Sequence, residues 1–326
     1  MSTNASERWT AVRMPDMTDR TVVVTGANSG LGFEATKELA RAGAHVVMAC
    51  RNPERAEDAR ERAERAVRDA SLDVRELDLA DLSSVRAFAE GFAAEYDALH
   101  VLMNNAGVMA PPRRETADGF ELQFGVNHLG HFALTGLLLD RLRMADGETR
   151  VVTTSSGAHK MGGIDFEDLQ SERSYSRWRA YGQSKLANLL FTYELQRRLD
   201  RAVREDPALA GEMKAVAAHP GWAATELQTS GPTMGEGESS LRGRAMEVAN
   251  RLVAQSARMG TLPLLYAATA ENVDGSDYIG PGGPFEMRGY PVHVASNERS
   301  HDHATARRLW AVSEELTGVT YDLPSA

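Results

Sequence analysis

The chain has 326 residues, of which 42% are hydrophobic and 25% are charged, proportions that are ordinary for a globular protein. Its formal net charge of −10 argues against a general nucleic-acid-binding protein, because such a protein needs a basic surface. The single cysteine, Cys50, excludes an intrachain disulfide and a cysteine-rich metal site.

The sequence shows no targeting or membrane-spanning segment. Residues 1–17 are polar and lack the apolar stretch of a signal peptide, and no run reaches the roughly 18 apolar residues of a membrane span. Together with the single cysteine, these features predict a cytoplasmic protein without a membrane anchor. A homo-oligomer is compatible with them.

After an N-terminal arm at 1–20, which Trp9 is expected to attach to the body, short apolar runs alternate with amphipathic stretches. This alternation is typical of βαβ units and a parallel sheet. Strands are predicted at 21–25, 45–50, 73–77, 99–103, 150–155 and 214–218. Helices are predicted at 30–42, 53–70, 81–95, 118–143, 175–203 and 241–270.

We expect one catalytic domain over 21–326, with substrate-lid segments near 157–180 and 222–260. The stretch 227–240 is rich in glycine and serine. It is interpreted as a loop, and both a lid over a binding cleft and a flexible surface loop remain open.

The turn between the first strand and the first helix carries Gly26, Gly30 and Gly32. Glycines at this point permit a tight turn and let backbone N–H groups and a helix N-terminus approach a pyrophosphate. The spacing differs from the G-x-G-x-x-G of many dehydrogenases. The position of this turn nevertheless indicates a dinucleotide-binding cradle.

The end of the second strand bears on the choice between NAD and NADP. An acidic residue there would bind the ribose 2′-hydroxyl of NAD, but the chain has Arg51 and Asn52. Arg51 could instead bind the 2′-phosphate of NADP, which makes NAD the less expected cofactor. After the third strand, Asp78 could accept a hydrogen bond from the adenine amino group.

Tyr181 and Lys185 are four residues apart in a predicted helix, which places both side chains on one face. A fixed ammonium beside a phenol favours the phenolate, so we expect Lys185 to lower the pKa of Tyr181. Such a pair suits proton transfer at a carbonyl or an alcohol. The chain has only four lysines against thirty-two arginines, so a lysine here is unusual.

Taken together, these motifs resemble those of the short-chain dehydrogenases/reductases. The resemblance runs from about residue 20 to about residue 221 and more loosely to the C-terminus. It depends on the glycine turn (25–32), Asn104-Asn105-Ala106-Gly107, Ser155-Ser156, the Tyr181–Lys185 pair and His219-Pro220-Gly221. The segments 49–52, 124–132, 151–159 and 174–191 are most similar to the branch that contains retinol dehydrogenases and protochlorophyllide reductases.

The resemblance implies an α/β fold with a single Rossmann-type doubly wound parallel sheet and helices on both faces. It implies Tyr181 as the general acid/base and Lys185 as the residue that lowers its pKa and holds the nicotinamide ribose. Ser156, rather than Ser155, would polarise the carbonyl, and Asn127 would anchor the proton relay through its backbone and a water molecule. Cys50 would be a packing residue.

The resemblance also implies a cofactor site around the glycine turn and the strand ends. Pro220, Gly221 and Thr225 would contact the nicotinamide. The full set of expected cofactor-binding residues is Gly26, Asn28, Ser29, Gly30, Leu31, Gly32, Arg51, Asn52, Asp78, Leu79, Asn105, Ala106, Gly107, Tyr181, Lys185, Pro220, Gly221 and Thr225. No metal site is expected.

The predicted function is an NADP-preferring oxidoreductase that interconverts a carbonyl and an alcohol, with Tyr181 as the general acid/base. A catalytically silent NADP-binding regulator or scaffold of the same fold is the alternative. Trp178, Trp222, Met161 and Met234 fall in the expected rim segments, which favours a small apolar substrate, although a core or surface-patch role is as compatible.

Several histidines are not assigned a catalytic role. The run His301-Asp302-His303 is interpreted as the start of a helix with a carboxylate in its first turn. His128 and His131 are interpreted as packing or local hydrogen-bonding residues. His159 could face the substrate, and no role is assigned to it.

Overall fold

The computed structural model of the protein describes residues 8–205, 213–222 and 255–326. Eight strands form one sheet in the order β3-β2-β1-β4-β5-β6-β7-β8. Strands β1 to β7 pair in parallel, and β8 is antiparallel to β7. The strands are β1 (Thr21–Thr25), β2 (His45–Cys50), β3 (Ser71–Glu76), β4 (Val101–Asn104), β5 (Thr149–Thr154), β6 (Met213–Ala218), β7 (Tyr278–Pro281) and β8 (Pro291–His293).

Helices connect the parallel strands. We use α4 for the run of helical segments Leu122–Phe124, Gly125–Leu129, Gly130–Leu137 and Leu139–Arg143. The other main helices are α1 (Gly30–Arg41), α2 (Pro53–Ala66), α3 (Leu82–Glu95), α5 (Arg177–Glu205), α6 (Leu262–Thr269) and α7 (His303–Thr317).

The central strands are buried on both faces, as their nearly continuous apolar sequences require. In β1, Val22 and Val24 pack on one side with residues of α1, α2 and α6. Val23 points to the other side, where Phe92, Phe132 and other residues of α3, α4, α5 and α7 form a second core. Helices therefore cover both faces, and the predicted doubly wound α/β fold is confirmed.

The six predicted strands are all present, but several predicted boundaries and elements were wrong. Helix α2 ends at Ala66 rather than residue 70, because Val67 is already extended (φ −130°, ψ 114°). The helix predicted at 118–143 is interrupted by a π-helical turn at Gly125–Leu129. Strands β7 and β8 were not predicted, since short segments that contain glycine or proline resemble turns. Of the helix predicted at 241–270, residues 241–254 lie outside the described residues, and the remainder contains helical segments at Ala257–Gly260 and Leu262–Thr269.

The described part of the N-terminal arm packs against the body, as expected for Trp9. The Trp9 ring meets the ring of Tyr266 in α6 edge-on, with centroids 5.2 Å apart. The Met17 amide donates a hydrogen bond of 2.8 Å to the Ala42 carbonyl. In the ranges that the structure describes, no helix is both long enough and apolar enough to cross a membrane.

Cys50 is the last residue of β2 and packs in the core, as expected. It is 2% exposed within the core that contains α1. Burial raises the pKa of its thiol to about 11, so the unreactive thiol form prevails at neutral pH.

Asp302 begins helix α7, which confirms the interpretation of this histidine-flanked segment as a helix start. Its Oδ1 accepts hydrogen bonds from the amides of Ala304 (2.9 Å) and Thr305 (3.1 Å). The capped helix places Leu309 and Trp310 in the core. The cap therefore supports packing at this end of the molecule.

Replacing Asp302 by alanine should lower the free energy of unfolding by about 1 kcal/mol, because two amides of the first turn lose their acceptor. Urea denaturation followed by circular dichroism measures this change. Asp302→Asn is the matched control, since asparagine also caps helices. A loss in D302N as large as that in D302A would contradict the capping explanation.

Candidate active site

The predicted site residues meet at the carboxyl ends of the parallel strands. Strands β1 and β4 are neighbours, and β2 and β5 lie on either side of them. The connections after β1 and β4 leave in opposite directions at this point, which creates the crevice where open α/β sheets bind ligands. The glycine turn follows β1, and Ser155 and Ser156 follow β5.

The glycine turn has the shape of a phosphate cradle. Gly26 and Gly30 have φ values of +66° and +54°, which side chains disfavour. A Cβ built on Gly32 would lie 2.3 Å from the Gly26 carbonyl oxygen, so only glycine fits there. Ser29 precedes α1 without a side-chain capping bond in the described structure, which leaves the amides of the first turn for an anion. These residues fit a dinucleotide pyrophosphate.

The end of β2 places Arg51 beside this cradle. Asn52 Oδ1 accepts a 2.8 Å hydrogen bond from the Arg55 amide and starts α2. Arg51 therefore lies exposed between the strand end and the positive end of a helix dipole. Arg62, which sequence reasoning missed, extends from α2 to the Asn28 carbonyl at 3.2 Å.

The turn after β4 is tied to the end of β1. The amides of Asn105 and Ala106 both donate to Thr25 Oγ1 at 2.9 Å, and Asn105 Nδ2 donates to the Thr25 carbonyl at 2.8 Å. A Cβ on Gly107 would lie 3.0 Å from Asn127 Oδ1 and 3.6 Å from Lys185 Nζ, so these two atoms face the same small space.

The remaining expected cofactor residues are distributed along the same edge. Asp78 follows β3, and its Oδ1 accepts a 2.9 Å hydrogen bond from the Ala80 amide; Leu79 is buried. The Pro220 carbonyl accepts a 2.7 Å bond from Gln255 Nε2, and Gly221 has φ +65°. Thr225 lies outside the described residues, as do Met234 and 227–240.

Tyr181 and Lys185 lie on the inner face of α5, with exposures of 6% and 3%. Lys185 Nζ is 5.8 Å from the centre of the Tyr181 ring and donates a 3.0 Å hydrogen bond to the Thr154 carbonyl. No ion pair joins Lys185 to a carboxylate among the residues described. A buried ammonium with only a carbonyl partner is costly, and such groups concentrate at functional sites.

The two serines after β5 have different surroundings. Ser155 is buried and donates to the Lys185 carbonyl at 2.9 Å. Ser156 lines the same cleft as Tyr181, and its hydroxyl is near enough to the phenol to lower the pKa of that phenol. Of the two serines, Ser156 is therefore the one that lies next to the phenol.

The electrostatics of the pair differ from the sequence-based expectation. Burial raises the pKa of Tyr181 to about 12, although the hydrogen bond from Ser156 opposes this shift. Burial also lowers the pKa of Lys185 to about 8. The pKa of Tyr181 is therefore raised overall, because burial removes the phenolate from water. Tyr181 is thus a neutral phenol at pH 7, the form that can donate a proton.

Asn127 occupies the π-helical turn of α4, a feature that often marks functional sites. Its side chain holds the segment after β4: Oδ1 accepts from the Val108 amide (2.8 Å), and Nδ2 donates to the Val108 carbonyl (3.0 Å). Nδ2 also donates to Ser184 Oγ (2.9 Å), whose hydroxyl donates to the Tyr181 carbonyl (2.8 Å). Sequence reasoning missed Ser184, although its place between Tyr181 and Lys185 was a usable signal.

A cleft of about 380 Å³ opens above these residues. Its rim includes the predicted Met161, Trp178 and Trp222. It also includes Lys160, Phe285 and Glu286, which sequence reasoning did not single out as lining residues.

Glu286 joins distant parts of this rim. Its Oε2 lies 3.3 Å from His219 Nε2 and 3.4 Å from Lys160 Nζ. These contacts hold the β7–β8 connection next to the segments after β5 and β6. No local pattern indicates the contact, because Lys160 and Glu286 are 126 positions apart.

Two other aromatic residues, His159 and Tyr175, support the loops around the cleft. His159 is fully buried, with Nδ1 2.7 Å from the Ser156 carbonyl and Nε2 accepting from the Asn297 amide at 3.3 Å. Tyr175 donates to the Pro111 carbonyl at 2.9 Å. Neither residue lines the cleft.

A family model described as short chain dehydrogenase matches residues 20–230. The chain belongs to the short-chain dehydrogenases. It is 42% identical to human retinol dehydrogenase 12 over 315 residues, which cover 96% of this chain and 90% of that protein. It is 40% identical to human retinol dehydrogenase 13 over 304 residues, 92% of this chain and 85% of that protein.

The fold comparison agrees with the family assignment. The structure of an uncharacterised protein from Mycobacterium paratuberculosis is 44% identical, with a TM-score of 0.77, and the match covers 97% of this chain and all of that one. The resemblance stated from the motifs is thereby confirmed. This short-chain dehydrogenase is an oxidoreductase of alcohols and carbonyl compounds, from a family that binds NAD or NADP.

Replacing Gly32 by alanine in this dehydrogenase should weaken NADPH binding at least about 10-fold, because the added Cβ would collide with the Gly26 carbonyl and deform the cradle. Quenching of protein fluorescence by NADPH measures the Kd. Gly91→Ala in α3 is the matched control, since its nearest neighbour would be 3.8 Å away. That variant should bind normally and gain about 0.5–1 kcal/mol of stability. Unchanged NADPH affinity in G32A would contradict this assignment of the cradle.

Proposed function

We propose that this short-chain dehydrogenase interconverts apolar aldehydes or ketones with their alcohols and uses NADP(H) in preference to NAD(H). The arrangement of Ser156, Tyr181 and Lys185 at the base of an aromatic-rimmed cleft carries this proposal. The enzyme class follows from the family, and the residue roles and the cofactor preference are inferred from the site.

The bound nicotinamide would supply the hydride in reduction and accept it in oxidation. The protein must then deliver a proton to the oxygen that develops negative charge. Tyr181 holds that proton at neutral pH, because burial keeps its pKa near 12. Ser156, which lines the cleft beside this phenol, would donate to the same substrate oxygen.

Lys185, which lines the cleft, and Asn127, which lies behind it, both support the acid/base. Lys185 is held by the Thr154 carbonyl and can present its other N–H donors to ribose hydroxyls beside Tyr181. Asn127 and Ser184 fix the turn of α5 that carries Tyr181. The positions of the proton donor and its neighbours are thus set by buried hydrogen bonds rather than by exposed loops.

The cleft favours a substrate with an apolar body. Met161 and Phe285 are large hydrophobic side chains exposed at its rim, and Trp178 meets Tyr181 edge-on with ring centroids 6.2 Å apart. The names of the similar human proteins suggest retinal and retinol as one pair within this class. We therefore include retinal beside medium-chain and aromatic aldehydes among the test substrates.

Tyr181→Phe should lower kcat for carbonyl reduction about 100-fold or more, since the general acid is lost, and should leave the Kd for NADPH within about 3-fold. NADPH consumption at its absorbance band, together with fluorescence titration, provides both measurements. Tyr175→Phe is the control, because this tyrosine lies outside the cleft. Full activity of Y181F on every substrate that the native enzyme reduces would refute the mechanism.

Arg51→Ala should weaken NADP binding about 10- to 100-fold and leave NAD binding nearly unchanged, because a charge-assisted bond to the 2′-phosphate is removed. Isothermal titration calorimetry with NADP and with NAD measures the two dissociation constants. Arg68→Ala is a control at the far end of α2, where the side chain is 93% exposed. Equal affinities of the native enzyme for NADP and NAD would show that Arg51 does not select the cofactor.

A further inference from the structure

His131 connects the cofactor cradle to the catalytic helix through buried hydrogen bonds. It lies in α4, four residues after Asn127, and is 2% exposed. Its Nε2 is 3.0 Å from Thr25 Oγ1, and its Nδ1 is 3.1 Å from the Asn127 carbonyl oxygen. The imidazole therefore spans the space between the end of β1 and the π-helical turn.

The partners determine which ring nitrogen carries the proton. The Asn127 carbonyl can only accept, so Nδ1 must be the donor. Thr25 Oγ1 already accepts two amide hydrogens, from Asn105 and Ala106. Its own proton has two acceptors in reach, the unprotonated Nε2 of the neutral ring at 3.0 Å and the Met103 carbonyl at 3.3 Å, and the bond to Nε2 is the shorter. The hydrogen-bond requirements of all these groups are met by one tautomer.

The surroundings keep the ring in this neutral form. Burial lowers the pKa of His131 to about 4, and the nearby charge of Lys185 acts in the same direction. A neutral imidazole with a single tautomer is a rigid spacer between its two partners. It therefore stays uncharged throughout the neutral pH range.

The hydrogen bonds continue from Asn127 to the proton donor. Asn127 Nδ2 donates to Ser184 Oγ, and the Ser184 hydroxyl donates to the carbonyl of Tyr181. The complete series runs from Thr25 through His131, Asn127 and Ser184 to Tyr181. It begins at the residue that precedes Gly26 and ends in the helical turn that bears the phenol.

We propose that His131 is a positioning residue that aligns Asn127, and through it Tyr181 and Lys185, with the cofactor cradle. The inference depends on the proposed role of Tyr181 in this enzyme. A shift of about 1 Å between a proton donor and the reacting atoms can cost 100-fold in rate, so such alignment affects turnover. Loss of the link should reduce kcat more than it reduces substrate binding.

His128 provides a matched comparison within the same helix. It is also 2% exposed, but its Nε2 is 2.9 Å from Ser313 Oγ in α7, on the side away from the cleft. Replacing either histidine by leucine removes one buried imidazole. Only the change at residue 131 interrupts the series that leads to Tyr181.

The kinetic experiment compares His131→Leu, His131→Asn and His128→Leu with the native enzyme. H131L should lower kcat about 10-fold or more, keep KM for the carbonyl within about 2-fold, and increase the solvent deuterium isotope effect on kcat. H131N should have a kcat between those of H131L and the native enzyme, because an asparagine amide can donate to the carbonyl four residues earlier but is too short to reach Thr25 Oγ1. H128L should keep kcat within about 2-fold of native.

Three results would overturn the proposal. They are a native kcat in H131L, an equal loss of kcat in H131L and H128L, and an H131N variant as slow as H131L. Thermal denaturation of the three variants shows whether a loss of kcat comes from unfolding. If Y181F is fully active while H131L is slow, the role proposed for Tyr181 fails and the alignment by His131 must act on another group.

A measurement without catalysis tests the same link in the native protein. The ¹⁵N chemical shifts of the His131 ring at pH 7 should show hydrogen on Nδ1 and none on Nε2. The His131 signals are assigned by comparison with the spectrum of H131N, from which they are missing. Hydrogen on Nε2 would break the bonds inferred on both sides and would refute the proposal even if H131L does not fold.

Discussion

The parallel alignment of β1, β4 and β5 is the constraint on which the rest of this enzyme depends. Parallel pairing places the ends of these strands at one edge of the sheet, where three tight turns meet. Thr25 ties the first two turns together by accepting the amides of Asn105 and Ala106. The third turn carries Ser156 to the phenol of Tyr181. A shift in strand register would therefore separate the glycine turn from the residues to which we assign catalysis.

Burial of ionisable groups at this edge opposes stability and serves chemistry. Elsewhere in α5, the fully buried Glu194 is paired with Arg197 and Arg198. Lys185 is compensated instead by the carbonyl of Thr154, and its pKa falls to about 8. In α5, a buried charge in the core is thus paired with opposite charges, whereas the buried ammonium at the cleft is bonded to a carbonyl, which compensates it less fully. Stability elsewhere in the fold must offset this cost.

Much of the fold and part of the site could be predicted because they depend on local spacing. Short valine-rich runs separated by amphipathic stretches predicted β1 and β2, and the Gly26–Gly32 turn between β1 and α1 indicated the cradle. The spacing of four in a helix placed Tyr181 beside Lys185 on one face. By contrast, β7 was missed because Gly280 and Pro281 in a four-residue strand resemble a turn. Pairing with β6 stabilises this strand, although the local propensity of its residues does not favour one.

The sequence by itself determined the fold class and pointed to the glycine turn and to Ser156, Tyr181 and Lys185 as the candidate site, because each of these depends on residue type and spacing within one segment. Only the tertiary structure decided the direction of the Tyr181 pKa shift, since burial depends on all the surrounding elements. It also decided the contacts of Glu286 with His219 and of His131 with Thr25, each of which joins residues far apart in the chain. Contacts of that kind arise from the packing of the sheet and helices, and no local pattern encodes them.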